Sequence, residues 1–127
     1  MKKMILLSLV ALIATIACKK KTEDVVSPVI TIYSPTAAQA MHYDSVIVSF
    51  KVEDEDLHEV GFSIVRSSDD SVLYNMPAEH VHEIPFLLQD TLVVPVMMHT
   101  DAKIKVEAAD HNENMSEKTV SFHIHPM

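Results

Sequence analysis

Four segments of the chain alternate apolar and polar residues with a period of two, and that pattern fits only extended backbone. Val46, Val48, Phe50 and Val52 interleave with Ile47, Ser49, Lys51 and Glu53, and Val60, Phe62 and Ile64 alternate likewise within residues 59–66. Ile104, Val106 and Ala108 interleave with Lys103, Lys105 and Glu107, and Val120, Phe122 and Ile124 with Thr119, Ser121 and His123. In a strand this spacing puts every apolar side chain on one face, whereas a helix needs apolar residues three and four apart. Residues 29–33 add a strand stopped by Ser34-Pro35, residues 71–84 a long one kinked at Pro77, and residues 91–98 another containing Pro95. Proline has no amide to give a ladder, so Pro77 and Pro95 imply a sheet edge or an irregularity. The sum is seven strands and an all-β chain. Gly61 is the only glycine, so the turns, such as Ser67-Ser68-Asp69-Asp70, must be built from Asp, Asn, Ser and Pro.

Ahead of the strands lies a segment of another kind. Met1-Lys2-Lys3 is a basic start, and residues 4–17 form an uncharged, largely apolar run. At 14 residues it falls short of the roughly 20 needed to span a bilayer, and fits the apolar region of a secretory signal. It ends in Thr15-Ile16-Ala17-Cys18, which resembles the lipobox of bacterial lipoproteins. That resemblance implies cleavage before Cys18, acylation of its thiol (with palmitate among the chains) and an outer-membrane anchor on either the periplasmic or the surface side. Several acyl chains hold a bilayer far more firmly than one. Three parts are expected: a signal over residues 1–17, the lipidated Cys18 with a polar tether over 18–28, and one domain over 29–127, close in size to an immunoglobulin-like sandwich.

Within that domain, Val52-Glu53-Asp54-Glu55-Asp56-Leu57-His58-Glu59-Val60 is an acidic turn between two strands. Val106-Glu107-Ala108-Ala109-Asp110-His111-Asn112-Glu113-Asn114-Met115-Ser116 is a second, before the last strand. With the opening Pro28-Val29-Ile30-Thr31-Ile32-Tyr33-Ser34-Pro35, these resemble bacterial immunoglobulin-like domains of small cell-envelope lipoproteins. His80-Val81-His82-Glu83-Ile84-Pro85 is similar to a His-x-His motif before Ile-Pro in one such family, common in Bacteroidota, to which no reaction is assigned. The resemblance implies a seven-stranded Greek-key β-sandwich. Related domains usually carry glycine where Glu113 stands, so a turn of altered shape is expected there.

Charge and composition narrow the function. The formal charge is −8, becoming −10 once Lys2 and Lys3 leave with the signal, which repels a phosphate backbone and excludes nucleic acid as the main partner. A single cysteine leaves no intramolecular disulfide and no cysteine-built zinc site. With Cys18 acylated, no glycine-rich phosphate loop and no serine in a nucleophile elbow, we expect no enzyme. The leading expectation is a tethered binding or structural module that presents loops or a sheet edge (residues 29–33 or 71–84) to a protein or glycan.

The alternative is a divalent-metal-binding lipoprotein. Strands that alternate up and down bring Asp54 and Asp56 to the same end as Asp110, Asn112 and Asn114, an oxygen set suited to Ca²⁺, although Asp and Asn are also ordinary turn residues. The leading reading, by contrast, requires no cofactor. His80 and His82 share a strand face, as do His123 and His125, about 6.5–7 Å apart within each pair, a spacing that suits Zn²⁺ or Cu²⁺. The two pairs are expected in opposite sheets, each short of the three or four ligands zinc takes. Met41 and His42 are placed at one end with Met97, Met98 and His99, where thioether and imidazole together suit copper. If residues 91–98 are a regular strand, one of Met97 and Met98 turns inward.

Overall fold

In a computed structural model, residues 25–127 are described, and they form two β-sheets with no helix among them. Cys18 and the signal lie outside these residues. The strands are β1 (Val29–Ser34), β2 (Ala40–His42), β3 (Val46–Glu53), β4 (Leu57–Arg66), β5 (Val72–His80), β6 (Phe86–Leu92), β7 (Thr100–Asp110) and β8 (Met115–His125). One sheet has the order β1-β3-β6 and the other β2-β8-β7-β4-β5.

The period-two faces close on one another as their spacing requires. Val46, Val48, Phe50 and Val52 of β3 meet Val60, Phe62 and Ile64 of β4, Ala102, Ile104 and Val106 of β7, and Phe122 and Ile124 of β8 in one continuous core. Phe50 and Phe62 join the sheets edge to face, with ring centroids 5.6 Å apart. Each fully buried aliphatic or aromatic side chain contributes roughly 1.5–3 kcal/mol, and this shared core stabilises both layers.

Several details differ from the sequence expectation. Eight strands lie among the described residues, because the three-residue β2 adds itself parallel to β8. β5 ends at His80, and β6 begins at Phe86 and ends at Leu92, several residues earlier than the strand expected over 91–98. The alternation that suggested 91–98 persists, with Leu92, Val94 and Val96 buried and Val93 exposed, but the ladder to β3 stops at Leu92. Side-chain burial therefore outlasts backbone pairing. β5 and β8 also share one sheet. The tight Ser67–Asp70 turn makes β4 and β5 a hairpin, which obliges them to be neighbours.

Pro77 is accommodated by both devices at once. It lies on the edge strand β5, at a bulge where Val60 pairs with Glu79 and Phe62 with Met76. Gly61 alone thus faces two residues, and a Cβ on it would sit 2.7 Å from the Ala78 amide nitrogen and 2.9 Å from its Cα. Those are backbone atoms, which cannot swing aside. Gly61→Ala is expected to lower stability by about 1–3 kcal/mol, read as a lower urea midpoint at unchanged m-value. An unchanged midpoint would contradict the close approach.

Candidate metal centre

The hairpin of β7 and β8 sets most of the polar geometry. Its register runs from Thr100 opposite Ile124 to Ala109 opposite Met115, so Asp101 faces His123. Beyond Thr100 the next residue is His99, level with His125. The parallel pairing of β2 brings His42 beside His125 from the other side. Ile124 faces the core, so His123 and His125 point outward, as strand alternation requires.

The result is a cluster of imidazoles at one pole of the sandwich. Ring centroids of His125 lie 4.7 Å from His123, 4.8 Å from His99 and 5.5 Å from His42. One ring nitrogen from each of His99, His123 and His125 lies within 4.8 Å of the others. His123 Nδ1 is 2.9 Å from Asp101 Oδ1, which fixes the proton on Nδ1 and leaves the Nε2 lone pair free. That Nε2 is 3.3 Å from His99 Nδ1. Two donors so spaced can both reach a common ion at nitrogen bonds of about 2.0–2.1 Å. Burial, and then the neighbouring rings of His123, His99 and His42, hold the His125 imidazole below the ordinary histidine range. At neutral pH it is therefore unprotonated, the form a metal ligand needs.

Met97 and Met98 immediately precede His99 and line a surface groove with it and Asp101. Neither turns inward: they are 97% and 70% exposed, because the chain bends after Val96 instead of continuing as a strand. Met41, by contrast, is buried in the core. The histidine pair 123/125 and the group His42, Met97, Met98 and His99, separate in sequence reasoning, thus form one place. Asp101 was missed there, and its signal was register, since a β7–β8 hairpin sets it across from His123.

At the other pole the acidic turns do meet. His111 donates its amide to the Asp56 carbonyl (3.0 Å), and Asn112 donates its side-chain amide to Asp56 Oδ2 (3.2 Å). Asp110 Oδ1 accepts the amides of Asn112 and Asn114, each at 2.9 Å, and Asp110 Oδ2 accepts Asn114 Nδ2 at 2.9 Å. Asp54 Oδ1 accepts the Asp56 amide at 2.8 Å. Asp54, Asp56, Asp110, Asn112 and Asn114 are therefore neighbours in which the carboxylates accept N–H groups and the two asparagine side chains donate, and together they close two turns. Glu113 adopts φ 65°, the left-handed conformation in which glycine is at ease, at a backbone cost of about 1 kcal/mol.

His80 also lies at this pole, with His58 and Glu59, and one ligand atom from each lies within 4.8 Å of the others. His82 belongs to neither group. The pairs 80/82 and 123/125 remain apart, as expected, but for a different reason: they share a sheet and sit near opposite ends of its strands.

Neither a scan against family profiles nor a search of curated proteins returns a match. Among solved structures, an engineered protein is similar with TM-score 0.57 at 12% identity, over 77% of this chain and 20% of its own. The chain thus spans about a fifth of that protein's length. CopC from Methylosinus trichosporium OB3b is similar with TM-score 0.51 at 16% identity, over 80% of this chain and 91% of its own. The likeness shows a small β-sandwich.

The Asp110 turn has a measurable pH signature. Burial alone would raise this carboxyl, but the hydrogen bonds from the Asn114 side chain, the Asn114 and Asn112 amides and the nearby His111 outweigh it and hold the pKa below the ordinary value. A depressed carboxyl contributes stability that is complete above its unfolded pKa of about 3.9 and is lost as pH falls through the folded pKa. Asp110→Asn should melt lower than the parent at pH 7, and the gap should narrow between pH 4 and pH 2. A gap independent of pH across that range would show that the charge is immaterial.

Proposed function

We propose that this chain is a transition-metal-binding β-sandwich of the cell envelope, with copper its best-fitting ion. A single observation carries the reading: His99, His123 and His125 converge from two strand ends with ligand nitrogens within 4.8 Å, and a carboxylate orients one of them. Imidazole donors favour the late divalent ions, and Cu²⁺ heads that order. The exposed thioethers of Met97 and Met98 beside the cluster are soft donors, suited to Cu⁺ should the ion be reduced. His42 stands ready as a further imidazole next to His125. A CopC-like sandwich is the scaffold, and the histidines are the argument.

Calcium at the acidic turns is the less favoured ion, since the Asp54, Asp56 and Asp110 carboxylates already accept hydrogen bonds. Presentation of a sheet edge to a protein or glycan is a weaker reading as well, because Pro77 and its bulge interrupt the exposed ladder of β5. The likeness of residues 15–18 to a lipobox supports tethering through Cys18, in the manner of envelope lipoproteins, so the metal site would be held near a membrane.

Titration with Cu²⁺ should saturate at this pole and raise the melting temperature, since an ion at 100 times its dissociation constant adds about 2.7 kcal/mol. His123→Ala combined with His125→Ala should abolish that shift, and Asp101→Asn should weaken binding about 10- to 100-fold by releasing the His123 ring. Binding should also fade as pH is lowered into the acidic range, because protons compete with the ion for the ring nitrogens. A copper response indifferent to His123 and His125 would defeat the proposal. Cys18→Ala should separately move the protein from the membrane to the soluble fraction, and unchanged retention would defeat the tether.

A further inference from the structure

The opposite pole carries a second constellation whose construction differs from the acidic turns around it. Glu59 of β4 and His80 of β5 are directly paired across the ladder, so their side chains share a face. In a regular strand His58 would point to the other side. It does not, because the β4–β7 register shifts between Leu57 and Glu59, leaving His58 as the extra residue of a bulge. A bulge re-aims one side chain, and here it turns His58 toward its own neighbour and across the sheet. His58 Nε2 lies 3.7 Å from Glu59 Oε1, and the His58 ring is 4.5 Å from that of His80, centroid to centroid. The His58 carbonyl accepts the Val81 amide at 2.9 Å, which fixes the bulge against the end of β5.

A third ring arrives from the β7–β8 turn. His111 has its centroid 4.3 Å from that of His58. Its Nδ1 lies 2.9 Å from both the carbonyl and the Oδ1 of Asp56. The proton therefore belongs on Nδ1, and Nε2 is left with its lone pair, the arrangement in which carboxylates orient metal-binding imidazoles. Ligand atoms of His58, Glu59 and His80 lie within 4.8 Å of one another, His111 stands against His58 from a third element, and none of the four is fully buried.

We infer that His58, Glu59 and His80, with His111 oriented by Asp56, form a second metal site, for Zn²⁺ or an ion of similar chemistry. A mixed set of nitrogen donors and one carboxylate oxygen matches the ligands zinc takes, and no thioether lies in it. About nine residues of β7 separate the two poles, roughly 30 Å at strand rise, so the sites load independently. Zinc here ties the end of edge strand β5 to β4 and to the tip of the β7–β8 hairpin.

The test is a Zn²⁺ titration of the full-length chain carrying Cys18→Ala, so that no thiol competes, with stoichiometry read by calorimetry. Two ions are expected. His58→Ala with His80→Ala should remove one and leave the other within about threefold of its affinity, and His123→Ala with His125→Ala should do the reverse. Hydrogen exchange near residues 78–82 should slow on zinc addition in the parent and in the His123/His125 variant only. If the His58/His80 double variant folds poorly, His80→Ala alone, at an exposed position, should still weaken this site at least tenfold. Asp56→Asn should weaken it about 10- to 100-fold through His111. One ion that disappears with His123 and His125, or two ions that survive loss of His58 and His80, would overturn the second site. One ion that disappears only with His58 and His80 would support it while removing the first pole.

Discussion

The register of the β7–β8 hairpin is the constraint on which both poles depend. Strand side chains repeat every two residues, so a slip of one residue would send Phe122 and Ile124 to solvent and His123 and His125 into the core. Two things hold it. Ala102, Ile104, Val106 and Ala108 are 0–3% exposed, and a one-residue slip would turn Phe122 and Ile124 away from the face they share. At the hairpin's tip, Asp110 accepts the amides of Asn112 and Asn114 and sets the number of residues in the turn. A buried aspartate about 30 Å away along the strand thus decides that Asp101 meets His123. That coupling gives a turn residue a functional consequence without any contact with the ligands.

Much of this was legible in the chain. Apolar alternation located β3, β4, β7 and β8 and named their inward faces, because a half-buried strand cannot choose its face independently of its sequence. Pro77 announced an irregular edge for a covalent reason, the missing amide. What stayed hidden was whatever depends on which strands become neighbours. The histidine pairs were visible, but a pair is two ligands, and the third comes from elsewhere in space. His99 reaches His123 and His125 only because the ladder of β6 ends at Leu92 and the chain bends before β7. His58 reaches His80 only because a bulge interrupts the β4–β7 register. Neither event has a local signature, since the residues involved form no turn motif of their own.

The oxygen-rich turns show the converse case, in which proximity was foreseeable and chemistry was not. Up-and-down strands had to bring residues 54 and 56 toward 110, 112 and 114. Which way their oxygens point is settled by the backbone amides of the turns, whose N–H groups demand acceptors when water is excluded. With glycine absent from both turns, the Asp54 and Asp110 carboxylates supply those acceptors, and the Asn112 and Asn114 side chains donate to carboxylates in turn. The same residue types that suit a hard cation are thus occupied in closing the chain on itself, and of the imidazoles His111 alone joins them, through Nδ1.

Electrostatics then bears on which ions approach and which ligands receive them. A chain of formal charge −8 draws cations over its whole surface, with a bias that salt weakens. Such attraction does not discriminate among ions. Discrimination comes from donors held in place before the ion arrives, and the oriented rings of His123 and His111 meet that description. In each case a carboxylate, Asp101 or Asp56, engages Nδ1 and so selects the tautomer, and in each case that carboxylate is supplied by a neighbouring element. Net negative charge gathers the cation, and strand pairing at the two ends supplies the nitrogens that tell one cation from another.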